Sequence, residues 1–215
     1  MQDEFRCPAV VRTSILFLAI VFLASGSLRA GMITFDNLPD GTKITDQYKH
    51  LGVIFRSNLG GATIFGDPSE ATSPPNVLIG DDVFSDIFID FVDAATGAPK
   101  AVNNVALDAI SVGHNILTIS SRDIFGVQLE QFVVQNLSGS QNGFGKVNPI
   151  AFSLNGIASI QFDIDTSVVG NLDGMGIDNL SFTAVPEPSS FVLIGAGIGL
   201  LYMRRMRNRT TRSRR

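Results

Sequence analysis

The residues best placed to take part in chemistry lie near the end of the chain. Val185-Pro186-Glu187-Pro188 sets one carboxylate between two prolines. Each proline fixes its own φ and pushes the residue before it out of the helical region. The tetrapeptide is therefore held extended, in a form that a processing enzyme can grip. An almost uncharged run follows, Ser189 to Met203. After it comes a basic tail with Arg204, Arg205, Arg207, Arg209, Arg212, Arg214 and Arg215. The apolar run can enter a bilayer as a helix, and the arginines must stay outside hydrocarbon on the cytoplasmic side.

Elsewhere the residue types argue against catalysis. His50 and His114 have no paired metal-ligand spacing, and no serine lies in a G-x-S-x-G elbow. Asn58-Leu59-Gly60-Gly61 lacks the lysine and following helix of a phosphate loop. Asp81 and Asp82 read as a solvated turn, and Asp163, Asp165 and Asp173 match no calcium loop. The lone cysteine, Cys7, precedes the domain, which excludes a disulfide, a thiolate metal site or a cysteine nucleophile there. The expectation is a protein that is not an enzyme.

The C-terminal arrangement resembles the PEP-CTERM sorting signal of Gram-negative bacteria. Pro186, Glu187 and Pro188 match its motif, the run with Gly195, Gly197 and Gly199 matches its helix, and the arginines match its basic end. The resemblance implies a membrane transpeptidase of the exosortase type as partner, cutting near the Pro-Glu-Pro. It implies a precursor in the inner membrane and delivery to the cell surface or extracellular matrix. The alternative is a plain anchor. The run of about 15 residues gives roughly 22 Å of helix, whereas a hydrocarbon core is roughly 30 Å thick. A permanent anchor would be about a turn short.

Residues 1–30 read as a secretory signal peptide. Arg6 and Arg12 supply charge, Ile15 to Ala24 is the apolar core, and Leu28-Arg29-Ala30 offers a small residue at the cut. The chain thus divides into a signal peptide (1–30), an exported domain (31–184) and a sorting segment (185–215). The last comprises the motif 185–188, a single transmembrane helix 189–203 and the tail 204–215. Residues 31–185 hold 17 acidic and 6 basic side chains, a net charge near −11. That sign excludes a nucleic-acid partner.

The domain reads as strands throughout. Apolar residues alternate with polar ones in Met32–Phe35 and Phe84–Phe91, and Leu51–Phe55, Ala62–Phe65 and Asn76–Ile79 are further strand signals. Thr42–Tyr48 is a further extended segment. In the second half the strands are Val102–Ile110, Ile116–Ser120, Ile124–Val134, Lys146–Leu154, Ala158–Ile164 and Gly176–Phe182. Gly66–Pro75, rich in small and polar residues, is a surface loop. No helical period and no internal repeat appear, so the fold class is an all-β sandwich.

Ile33-Thr34-Phe35-Asp36, Gly52-Val53-Ile54-Phe55, Pro74-Pro75-Asn76-Val77-Leu78 and Gly176-Ile177-Asp178-Asn179-Leu180 occur in that order. The order resembles jelly-roll sandwiches of the carbohydrate-binding-module and galactose-binding-like kind. The resemblance implies a first strand beside the last, with a structural calcium between them. It offers Asp36 and Asp178 as calcium ligands, the other reading of both being hydrogen bonds to turns and loops. It also offers extracellular polysaccharide as a partner. Against this, the domain has no tryptophan and one tyrosine, Tyr48, and its phenylalanines read as core. A structural or adhesive surface protein is the first expectation, a carbohydrate-binding module the second, and a secreted hydrolase the third.

Overall fold

Val53, Phe55 and Ser57 are buried while Ile54 and Arg56 turn outward. Ile87, Ile89 and Phe91 repeat the pattern around Phe88 and Asp90. This period of two, expected of strands with one covered face, recurs through most of the domain, whereas Asn76–Ile79 is buried at all four positions. The computed structural model describes residues 30–110, 116–135, 146–165 and 174–185. They belong to one compact unit, Arg29–Val185. The signal peptide up to residue 29, the sorting residues Pro186, Glu187 and Pro188, the span 189–203 and the tail with Arg204, Arg205, Arg207 and Arg209 lie outside the described residues. So do His114 and Asp173.

Twelve strands are described: β1 (Ala30–Ile33), β2 (Lys43–Ile44), β3 (Val53–Ser57), β4 (Ala62–Gly66), β5 (Asn76–Ile79), β6 (Ile87–Phe91), β7 (Val102–Ile110), β8 (Ile116–Arg122), β9 (Gln128–Val134), β10 (Val147–Ala151), β11 (Ser159–Asp165) and β12 (Gly176–Ala184). One 3-10 turn, Lys49–Leu51, precedes β3. No α-helix occurs among the described residues. All strand pairs are antiparallel. One sheet has the order β10-β7-β12-β5-β4-β2, and the other β3-β6-β11-β8-β9. β12 is long enough to pair along one edge with both β5, through Ile177, and β1, through Leu180 to Thr183.

The last eight strands nest. β5 pairs β12 and β7 pairs β10 in the first sheet, while β6 pairs β11 and β8 pairs β9 in the second. A single antiparallel ribbon has been folded over so that its pairs alternate between sheets. That nesting is the jelly roll expected from the sequence. The pairing of β1 with β12 also matches.

Apolar side chains from both sheets fill one continuous core. Phe91 of β6 and Phe182 of β12 meet across it with ring centroids 4.9 Å apart. Phe35, Tyr48 and Phe55 form a mutually edge-on trio with centroid separations of 5.8, 5.4 and 5.7 Å. Burial, aided by the Asp36 charge, pushes the Tyr48 hydroxyl up to about 12, and that hydroxyl donates to Asn37 Oδ1 at 2.6 Å.

The structure shortens several expected strands, each for a local reason. Thr42–Tyr48 keeps only two strand residues before the 3-10 turn. Phe35 leaves β1 with a left-handed φ of +64°. Phe84 lies in a turn whose Asp82 carboxylate accepts the Phe84 N–H at 2.9 Å. Ile124 to Val127 are a hairpin turn, not strand. Asp123 Oδ1 accepts the N–H groups of Phe125 and Val127 at 2.8 and 2.9 Å, and Gly126 supplies a φ of +80°. Apolar side chains at a turn mimic a strand when read from pattern alone.

Candidate functional site

Asp178 is the buried acid of the domain, with no exposed surface. β12 bulges just after it: the register against β7 shifts between Asp178 and Ser181, and Asn179 takes a φ of +52°. The bulge turns Asp178 and Asn179 together toward the loop that follows β4. Asp178 Oδ2 accepts from Ser73 N at 2.6 Å and Thr72 Oγ1 at 3.0 Å. Its Oδ1 accepts from Ser73 Oγ at 2.8 Å and Asn179 N at 2.7 Å. Asp108, opposite on β7, completes the group. Asn179 Nδ2 donates to Asp108 Oδ2 at 3.0 Å, and Thr72 Oγ1 lies 2.9 Å from the same oxygen.

Asp36 anchors the other end of the same loop. Its Oδ1 accepts the Asn76 N–H at 3.1 Å, and Asn76 Nδ2 donates to the carbonyls of Phe35 and Leu38 at 3.3 and 3.0 Å. The two aspartates singled out from the sequence therefore flank one loop without forming a joint ligand set. Calcium needs several converging oxygens left open to it. Here N–H and O–H donors occupy both carboxylate oxygens of Asp178. Among the described residues no group of three or more acidic, histidine or cysteine side chains converges. In this structure the hydrogen bonds make these aspartates loop anchors.

A different surface carries the ligand-like chemistry. On the outer face of the second sheet, cross-strand neighbours form the row Arg56, Phe88, Gln161, Ser120 and Gln131, spanning all five strands. The adjacent row runs Ile54, Asp90, Ser159, Arg122 and Gln128. Arg56 Nε donates to Asp90 Oδ2 at 2.6 Å, and its guanidinium lies 5.2 Å from the Phe88 ring centroid. Gln128 Nε2 donates to Gln131 Oε1 at 3.1 Å. Amides, a hydroxyl and a paired guanidinium surround one half-buried aromatic ring. Such a face can exchange hydrogen bonds with a ligand around the Phe88 ring, one face of which Arg56 covers. Alternation marks Phe88, Gln161 and Gln131 as outward in the sequence, but nothing local says that they are neighbours.

At the end of β12 the chain runs through Ala184 and Val185 into the residues of the basic tail. The family comparison decides what that segment is. Residues 184–207 match the PEP-CTERM protein-sorting motif. The motif marks an exported protein that is processed by exosortase and sorted to the cell envelope or surface. It begins within the last strand and takes in Val185, Pro186, Glu187, Pro188 and the first arginines.

No curated protein matches the chain. Among solved structures, an arabinose-bound GH51 α-L-arabinofuranosidase is 15% identical over 74% of this chain with a TM-score of 0.41, and this chain spans 27% of it. A family 29 carbohydrate-binding module is 15% identical over 73% of this chain, with 92% of the module covered and a TM-score of 0.35. The enzymatically active domain of tailspike protein 4 from bacteriophage CBA120 is 13% identical over 68% of this chain, with 21% of that chain covered and a TM-score of 0.35. The jelly-roll assignment rests on the strand order itself.

Proposed function

We propose that this is a non-catalytic surface or extracellular-matrix protein of a Gram-negative bacterium, structural or adhesive, delivered by exosortase. The observation that carries the reading is the sorting motif at 184–207, joined directly to the final strand of a closed sandwich. In this reading residues 1–30 direct export and are removed. Ser189 to Met203 halts in the inner membrane. The arginines hold that end in the cytoplasm, since each would cost about 2.5 to 3.5 kcal/mol at the bilayer centre on insertion scales. The domain supports it by its acidic composition, 17 acidic against 6 basic side chains in residues 31–185.

The test uses two epitope tags, one in a loop of the β domain and one after Arg215, in a host that carries the sorting enzyme. The wild-type protein separates the tags. Replacing Pro186-Glu187-Pro188 with alanines leaves export intact and keeps both tags together in the inner membrane. Tags that stay together on the wild-type protein would reduce the tail to an anchor.

A second reading, a polysaccharide-binding module, is favoured by the Phe88 face. Phe88→Ala should then abolish the retardation of the domain in gels containing the matrix polysaccharide while leaving its melting temperature nearly unchanged. Equal mobility of wild type and variant in every polysaccharide gel would remove that reading.

A further inference from the structure

The last strand of the domain ends beside an exposed apolar hairpin. Ala184 pairs with Val102, Val102 bridges to Ile157, and Ala158 N donates to Arg122 O at 2.8 Å. Arg122 ends β8, and the turn Asp123 to Val127 projects beyond it. The point at which the chain leaves the domain and the tip of the β8–β9 hairpin therefore share one end of the sandwich. At this end Phe125 is 84% exposed, Val127 59% and Ile124 52%. Leu154, at 44%, donates its N–H to Glu130 Oε2 of β9 and adds to the apolar surface of this end. A soluble domain gains nothing from showing a phenylalanine almost wholly to water at a hairpin tip.

We propose that this hairpin is a membrane-contact element that inserts Ile124, Phe125 and Val127 into the outer interface of the bilayer spanned by residues 189–203. The proposal rests on the reading of that segment as a membrane span. Chain length argues for the bilayer as the occupant. The four residue steps from Val185 to Ser189 reach at most about 14 Å even when fully extended. The headgroup layer is itself roughly 5 to 8 Å deep on each side. The end of the sandwich that carries Val185 is thus held at the interface, and the hairpin is on that end.

The turn is also built for a site poor in water. The N–H groups of Phe125 and Val127 go to Asp123 Oδ1, and those of Gly126 and Asp123 go to Asp123 O and Val127 O at 3.0 Å each. Arg122 Nη1 donates to Gly126 O at 3.2 Å. Backbone groups bonded in this way do not need water when the tip is buried in lipid.

The chain contains no tryptophan, so a single introduced one reports its own surroundings. Full-length protein is reconstituted into vesicles of phosphatidylethanolamine and phosphatidylglycerol, with or without bromine-labelled acyl chains. Three variants are compared: Phe125→Trp in the hairpin, Leu193→Trp in the span and Val133→Trp on the outer face of the second sheet. The expected result is blue-shifted emission with at least twofold bromine quenching for F125W and L193W, and water-like, unquenched emission for V133W. Quenched L193W with water-like F125W would overturn the hairpin proposal and leave the span intact. Unquenched L193W would overturn the span and the proposal with it. Equal quenching of F125W and V133W would mean general adsorption of the domain and would also overturn it.

Discussion

Phe55→Ala lowers the stability of the β domain by about 3 to 5 kcal/mol, the usual cost of emptying a buried phenylalanine site. Phe55 has no exposed surface and lies edge-on to both Phe35 and Tyr48. Its removal loses apolar burial, leaves a cavity between the sheets and breaks two of the three ring contacts. Such pairs contribute about 0.5 to 1.5 kcal/mol each beyond area. For a domain of this size the melting temperature should fall by on the order of 10 °C. Phe55→Leu, which keeps most of the volume, should lose less than half as much. Equal melting of Phe55→Ala and wild type in a thermal scan would mean that the trio does not pack as described.

Asp178→Ala has the next largest effect, through polar groups. The substitution strips the acceptor from the backbone N–H groups of Ser73 and Asn179 and from the Ser73 hydroxyl, while Thr72 Oγ1 keeps Asp108 Oδ2. A buried donor left without a partner costs about 1 to 3 kcal/mol. With two backbone donors affected, the expected loss is on the order of 3 kcal/mol. Asp178→Asn restores an acceptor oxygen but points an amide N–H at a donor, so it recovers at most about half. Thermal melting measures the loss, and proteolysis within residues 67–75 should rise in parallel as the loop comes away from the sheet. Unchanged melting together with unchanged loop cleavage would show that Asp178 does not hold the loop.

Much of the fold was legible because its rule is local. A period of two needs only neighbouring residues, and it places most described strands to within a few positions; β5, buried at all four positions, shows instead as a short apolar run. It failed where a side chain overrides the period. Asp123 folds Ile124 to Val127 back into a turn, and the bulge at Asn179 sends two successive residues of β12 to one side. The sorting segment was legible for a related reason: motif, apolar run and arginines are contiguous. The ligand-like face was not. Phe88, Gln161 and Gln131 come from three strands, and only the cross-strand register brings them into one row. Asp178 is singled out only through the jelly-roll resemblance, as a calcium ligand, because its partner Ser73 lies 105 residues away, beyond the reach of any pattern.

The central position of β12 bears on when the domain can fold. This strand is the last to be synthesised, yet β1, β5 and β7 all pair with it. Until it arrives, β1 has no partner and β7 has one free edge. Contacts that join the two ends of a chain are also the slowest to form. The first sheet therefore closes only once residues 176–184 are free to pair, so the fold is completed from its C-terminal end.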